Sequence, residues 1–192
     1  MNVNVVLYDN FTALDVFGPV EVLGSVEGYK IHYYSLRGGI IRNEQAIRID
    51  TEPMEGIEPD GILLIPGGFG SRMAVSDEEF ISALMKTAVS SRYVLCVCTG
   101  SALLASTGLL DGKRATSNKL AFDWAKSFGP QVKWVREARW IAEDNIYTSA
   151  GVSSGIDMAL GFVRDTLGDE KARAICKRME YHWNEDSDHD VF

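Results

Sequence analysis

The chain has 192 residues, 46% of them hydrophobic and 24% charged, which suits one soluble globular domain (1–192) with a sizeable core. Its net charge of −8 and lack of any Lys/Arg cluster argue against nucleic acid or an anionic membrane as the main partner, and no apolar stretch approaches the roughly 20 residues of a membrane span. Three cysteines do not make a disulfide framework, and the chain opens into Val3-Asn4-Val5-Val6-Leu7-Tyr8 without a basic leader, so a cytoplasmic location is expected.

Val3–Tyr8 reads as a first buried strand, and Leu14–Leu23 carries helical spacing with Gly18-Pro19 marking a break inside it. Ile31–Leu36 alternates as a strand. After Gly38-Gly39, Ile40-Ile41 and Ala46–Ile49 read as a hairpin or short edge strands. Gly61-Ile62-Leu63-Leu64-Ile65 is a wholly apolar strand, closed by Pro66-Gly67-Gly68-Phe69-Gly70. Ser76-Asp77-Glu78-Glu79 resembles a capping box that opens a helix through about Ser90. Tyr93–Val97 is the next apolar strand, and a helix containing Ala102-Leu103-Leu104-Ala105 follows and stops near Gly108. Lys119–Phe128 reads as a helix, and Lys133–Val135, Trp140-Ile141 and Ile146–Thr148 as short strands. Ser153–Leu167 and Asp169–Tyr181 read as helices hinged at Gly168, and the acidic Asn184–Phe192 as an extended surface segment. Apolar strands alternating with helices predict an α/β fold with a mainly parallel sheet covered on both faces.

In such sheets ligands bind beyond the carboxyl ends of the strands, where both Pro66–Gly70 and Cys98-Thr99 fall. Val97-Cys98-Thr99-Gly100 has the strand-turn-helix form of a nucleophile elbow, although Cys96 replaces the first glycine of that motif. Two readings of Cys98 are open. At a helix start its thiol would be drawn below the ordinary pKa of about 8.5 and become a nucleophile; alternatively it is a small buried hydrophobe. Gly67-Gly68 reads as a plain turn or, with the Thr99 N–H, as an oxyanion hole beside the cysteine. Asp15, flanked by Leu14 and Val16-Phe17, reads equally as a helix N-cap or as a buried acid that exchanges a proton with Cys98 or a substrate. His182, His189 and the nearby aspartates read as a solvated tail, and Cys96-x-Cys98 lacks a second ligand pair, so no metal and no cofactor are expected. Phe17, Phe69 and either Trp124 or Trp140 are the aromatic candidates for pocket walls.

Four ordered segments resemble the ThiJ/PfpI superfamily, a branch of the glutamine-amidotransferase-like fold. They are Leu14-Asp15-Val16-Phe17-Gly18-Pro19, Ile65-Pro66-Gly67-Gly68, Cys98-Thr99-Gly100-Ser101 with the Gly108–Thr116 stretch, and Ser149–Leu160. The third and fourth are most similar to the subgroup of isocyanide hydratases and the ligand-domain-like halves of AraC-type regulators. The resemblance implies a flavodoxin-like three-layer sandwich, a homodimer, a small-molecule substrate, Cys98 as nucleophile and Asp15 as its acid, with the Gly68 and Thr99 N–H groups cradling developing charge. Many relatives carry a histidine where this chain has Asn118, in Ala115-Thr116-Ser117-Asn118-Lys119. An amide is no base, which favours hydration through cysteine and acid over glyoxalase or deglycase chemistry, and both over glutamine amidotransfer. A redox sensor or ligand-binding protein built on Cys98 is the non-enzymatic alternative; no helix-turn-helix follows the α/β domain, so a complete AraC-type regulator is not expected.

Overall fold

The apolar runs become the strands of one eight-stranded sheet. In the computed structural model, which describes residues 1–192, the elements in chain order are β1 (Asn2–Val6), α1 (Ala13–Gly24), β2 (Lys30–Ser35), β3 (Gly39–Arg42), β4 (Arg48–Pro53), β5 (Ile62–Ile65), α2 (Ser71–Ala74), α3 (Glu78–Ser90), β6 (Tyr93–Cys96), α4 (Gly100–Ser106), β7 (Arg114–Ala115), α5 (Phe122–Lys126), β8 (Lys133–Trp134), β9 (Trp140–Glu143), β10 (Ile146–Ser149), α6 (Ser154–Leu167) and α7 (Asp169–Met179). The strand order is β3-β4-β2-β1-β5-β6-β10-β9. The interior pairings are parallel, and only the edge strands β3 and β9 run antiparallel to their neighbours. β7 and β8 form a separate parallel pair outside that sheet. This is the flavodoxin-like α/β sandwich expected from the sequence.

The period of two along each central strand sorts side chains between the two covering layers. Val3, Val5 and Leu7, Ile62 and Leu64, and Leu95 and Val97 point to the layer of α1, α6 and α7. Val6 and Tyr8, Leu63 and Ile65, and Val94 and Cys96 point to the layer of α3 and α4. Nearly all are fully buried, and each aliphatic side chain so placed contributes about 1.5–3 kcal/mol. Both faces being covered is why these strands read as unbroken apolar runs.

Three local expectations change. Gly18-Pro19 does not break α1, which runs through both residues. A Cβ on Gly18 would lie 2.6 Å from Ile156 Cγ1, so the glycine serves the close approach of α1 to α6. Proline in the seventh helical position removes the N–H that would bond the Asp15 carbonyl, a loss the helix tolerates next to so tight a contact. The α3 cap is Asp77 alone: its carboxylate accepts from the Phe80 N–H at 3.1 Å, and Ser76 lies outside the motif. The helix expected over Lys119–Phe128 shrinks to α5, because residues 116–121 form a loop tied to the elbow.

The acidic C-terminal segment has no regular structure, but it is not a free surface tail. Trp183 and Asp190 are buried, and the Ser187 carbonyl accepts from the N–H groups of Arg139 (2.8 Å) and Trp140 (3.2 Å). The Arg139 guanidinium forks between Asp157, at 2.6 and 2.7 Å, and Asp190, at 3.0 Å. Trp183 Nε1 donates to the Asp157 carbonyl oxygen at 3.2 Å. Counting aspartates made this stretch look solvated; a buried arginine 51 residues upstream is what draws it in.

Candidate active site

The turn after β6 is a strained elbow. Cys98 has φ of +57°, the left-handed region in which a residue with a Cβ pays of the order of 1 kcal/mol or more. Two hydroxyls hold it there: Ser101 Oγ and Ser117 Oγ each donate to the Cys98 carbonyl at 3.0 Å. Gly100 completes the turn, since a Cβ there would lie 2.3 Å from the Ile65 carbonyl oxygen. The chain thus needs only the second glycine of the elbow motif. The first position, Cys96, is a buried β6 side chain facing the α3–α4 layer.

Asp15 lies in the first turn of α1, but it does not cap the helix; Thr12 occupies the cap position. The carboxylate turns inward, is fully buried, and accepts the Gly67 N–H on Oδ2 at 2.9 Å. Its Oδ1 has no hydrogen-bond partner in the protein. Burial raises its pKa to about 7, and the Gly67 N–H and the Cys98 thiol pull only partly the other way. Burial thus favours the protonated carboxyl well above the ordinary carboxylate range.

Cys98 is 5% exposed. Burial, and after it the charge on Asp15, push its thiol up; the Thr99 N–H, the Asn118 amide and the Thr99 hydroxyl hydrogen-bond the sulfur and pull it down. The balance lies opposite to the low pKa expected from the helix start, because desolvation outweighs three donors. One of the two upward causes disappears once Asp15 is protonated. The ionisation of the acid and that of the thiol are thus coupled, the charge on one opposing the charge on the other.

The Gly67-Gly68 loop is committed to this pair. The Gly67 N–H holds Asp15, and the Gly68 N–H donates to Thr99 Oγ1 at 3.0 Å. The Ser71 hydroxyl lies 2.7 Å from the Gly68 carbonyl and 3.0 Å from Thr99 Oγ1. Of the three N–H groups expected to form an oxyanion hole, those of Gly67 and Gly68 are taken by Asp15 and Thr99, and the Thr99 N–H is the one that lowers the Cys98 thiol pKa. Side chains are excluded at both glycines. A Cβ on Gly67 would lie 2.5 Å from the Thr99 nitrogen and 2.9 Å from Asp15 Oδ2, and Gly68 has φ of +134°.

Asn118 occupies the position where relatives were expected to carry histidine. Its Oδ1 accepts the Ala121 N–H at 3.0 Å, which leaves the NH₂ group to face the sulfur. It can donate a hydrogen bond to a thiolate and cannot take a proton.

The model of the DJ-1/PfpI family matches residues 1–165. The chain belongs to the DJ-1/PfpI family. An isonitrile hydratase of Pseudomonas putida is 28% identical over 183 residues, covering 94% of this chain and 78% of that protein. The transcriptional regulator CdhR of Pseudomonas aeruginosa is 29% identical over 152 residues, 79% of this chain but 45% of the regulator, so the chain spans about half of that relative. The crystal structure of a ThiJ/PfpI family protein from Pseudomonas syringae superposes with a TM-score of 0.87 at 28% identity, over 95% of this chain and 76% of that one.

Within this DJ-1/PfpI chain the aromatic candidates separate. Trp140 is buried in the core, with its ring against Gly161. Phe69 and Trp124 sandwich Arg72, whose guanidinium lies 4.9 Å from each ring centroid, while Phe17 is exposed on α1. A cavity of about 620 Å³ lies elsewhere, at the ends of β1 and β2 and the start of α3. Tyr8, Arg37, Gly70 and Phe80 are among its walls; Cys98 and Asp15 are not. Tyr8 stands between the two places, with its hydroxyl donating to the Pro66 carbonyl at 2.7 Å and its own ionisation opposed by burial and then by Asp15 and Cys98. His32, His182 and His189 do not join the elbow, and no three His, Cys, Asp or Glu side chains come together as a metal site. No helix is long and apolar enough to cross a membrane.

Sequence reasoning missed the hydroxyls of Ser71, Ser101 and Ser117 and the donor role of Asn118. Ser101 and Ser117 stand three and nineteen residues after Cys98, and only the fold turns both onto its carbonyl.

Proposed function

We propose that the protein adds water to an isocyanide or a similarly electrophilic carbon, with Cys98 as nucleophile and Asp15 as the group that moves the proton. The observation that carries this reading is the buried acid–thiol pair, with an amide donor in place of a basic histidine. Isocyanide hydration needs one nucleophile and one proton carrier, and no separate base. The similarity to an isonitrile hydratase over most of both chains supports the same activity.

In the first step the Cys98 sulfur attacks the terminal carbon of R–N≡C, and the thiol proton reaches that carbon through Asp15. This forms the C–S and C–H bonds of a thioimidate, R–N=CH–S. A water then adds to the same carbon. Its proton passes through Asp15 to the nitrogen, the C–S bond breaks, the hydroxyl proton returns to sulfur, and R–NH–CHO leaves. The Thr99 N–H and the Asn118 amide stabilise sulfur whenever it carries negative charge. A carboxyl with a pKa near 7 suits both directions of transfer, because donor and acceptor forms are both populated. The test is conversion of aliphatic and aromatic isocyanides to N-substituted formamides, followed by mass spectrometry. The parent protein is expected to turn them over, and the Cys98→Ser protein to fall to background. Equal behaviour of the two would end this reading.

The similarity to CdhR supports a second, regulatory reading, in which a ligand binds at the Cys98 elbow or Cys98 is oxidised to a sulfenate without turnover. Addition of a single oxygen at Cys98 under mild peroxide, in a protein that converts no isocyanide, would select it.

A further inference from the structure

The loop that carries Asn118 is fastened on two sides. On the elbow side, Ser117 Oγ donates to the Cys98 carbonyl at 3.0 Å, and the neighbouring Asn118 amide, whose Oδ1 is held by the Ala121 N–H at 3.0 Å, is among the groups that draw the Cys98 thiol pKa down. On the other side, Lys119 Nζ donates to the Ala138 carbonyl at 2.6 Å and lies 3.7 Å from Asp190 Oδ2. Thr116 Oγ1 also donates to the Ala138 carbonyl, at 3.3 Å. The Ala138 strip is in turn held by the C-terminal segment: the Asp190 N–H donates to the Glu137 carbonyl at 2.6 Å, and Asp190 Oδ1 takes the Arg139 guanidinium. The Lys119 and Asp190 side chains are 12% and 2% exposed, so this is a desolvated charge contact rather than a surface ion pair.

We infer that Asp190, through Lys119, is a positioning residue for the Cys98 centre, so that the C-terminal segment sets the donor geometry of Asn118 on the sulfur. The inference rests on Cys98 being the reactive thiol and needs no particular substrate. Lys119 adjoins Asn118 and Ser117 in one short loop, so releasing Lys119 frees the backbone that aims both side chains at the elbow. If the clamp acts this way, its loss costs the thiolate the Asn118 bond and leaves the remaining donors in place.

The experiment is the pH dependence of iodoacetamide alkylation, read on the Cys98 peptide of the full chain, for the Lys119→Met and Asp190→Asn proteins alone and combined with Asn118→Ala. Each single variant is expected to raise the apparent pKa of Cys98 and slow alkylation at pH 8 by about tenfold, the size of one charge-assisted hydrogen bond. Neither is expected to slow the Asn118→Ala protein further, and Lys119→Arg is expected to keep the parent profile. Because alkylation needs no turnover, failure of the hydratase reading leaves the result interpretable. A parent-like profile in folded Lys119→Met protein, or undiminished slowing in the Asn118→Ala background, would overturn the inference. Should Asp190→Asn not fold, Lys119→Met decides alone, since it removes the same contact from the loop side.

Discussion

Replacing Asp15 by Asn removes the titration of a fully buried carboxyl while keeping an oxygen for the Gly67 N–H, which now bonds Oδ2 at 2.9 Å. In the unfolded chain this carboxyl titrates near 3.8, and in the folded protein near 7. The folded state therefore binds the proton more tightly. The favourable contribution is complete below about pH 4, declines as pH rises, and is lost above about pH 7. A separation of about three pKa units corresponds to about 4 kcal/mol of stability lost by the parent across that window. The Asp15→Asn protein should escape the loss. Guanidinium unfolding of both proteins from pH 4 to pH 8 is the assay, and the difference between them cancels every other titrating group. The Asp15→Asn protein is expected to gain on the parent steadily as pH rises and to be the more stable by several kcal/mol at pH 8. A difference that stays flat across the range, or a less stable variant at pH 8, would refute the assignment of a desolvated, poorly compensated carboxylate.

Other consequences can be measured directly. Asn118→Ala should cost about 0.5–2 kcal/mol of stability through the lost Ala121 N–H bond and slow Cys98 alkylation at pH 8 by about tenfold, because a donor to the thiolate is gone. Gly67→Ala should destabilise the fold by about 1–3 kcal/mol in guanidinium unfolding, since its Cβ would lie 2.5 Å from the Thr99 nitrogen. Arg139→Ala should cost about 3–5 kcal/mol in the same experiment, because it strands Asp157 as a buried charge without a cation and leaves Asp190 only the Lys119 contact at 3.7 Å. Amide exchange around Asn184–Asp190 should accelerate with it.

The central strands were legible because covering a parallel sheet on both faces demands an uninterrupted apolar run. Ile62–Ile65 and Tyr93–Cys96 fall inside the segments read from sequence. The elbow and Asp15 were legible too, since a cysteine before Thr-Gly at a strand end and a carboxylate between apolar neighbours are local patterns. What distant segments decide was hidden. Pro19 signals a break locally, yet the contact of Gly18 with Ile156 keeps α1 whole. The direction of the Cys98 pKa depends on burial and on Asp15, 83 positions earlier in the chain, and neither is visible in the residues flanking the thiol. The C-terminal aspartates looked like a solvated run until Arg139 supplied a buried partner.

Acid-quenched mass spectrometry during turnover tests most directly the claim that Cys98 forms the covalent bond to substrate. With an isocyanide present, the tryptic peptide containing Cys98 is expected to gain the full mass of one isocyanide molecule, and the Asp15→Asn protein to change how much of that adduct accumulates. Turnover with an unmodified Cys98, or an adduct on Cys96 or Cys176 instead, would contradict the account.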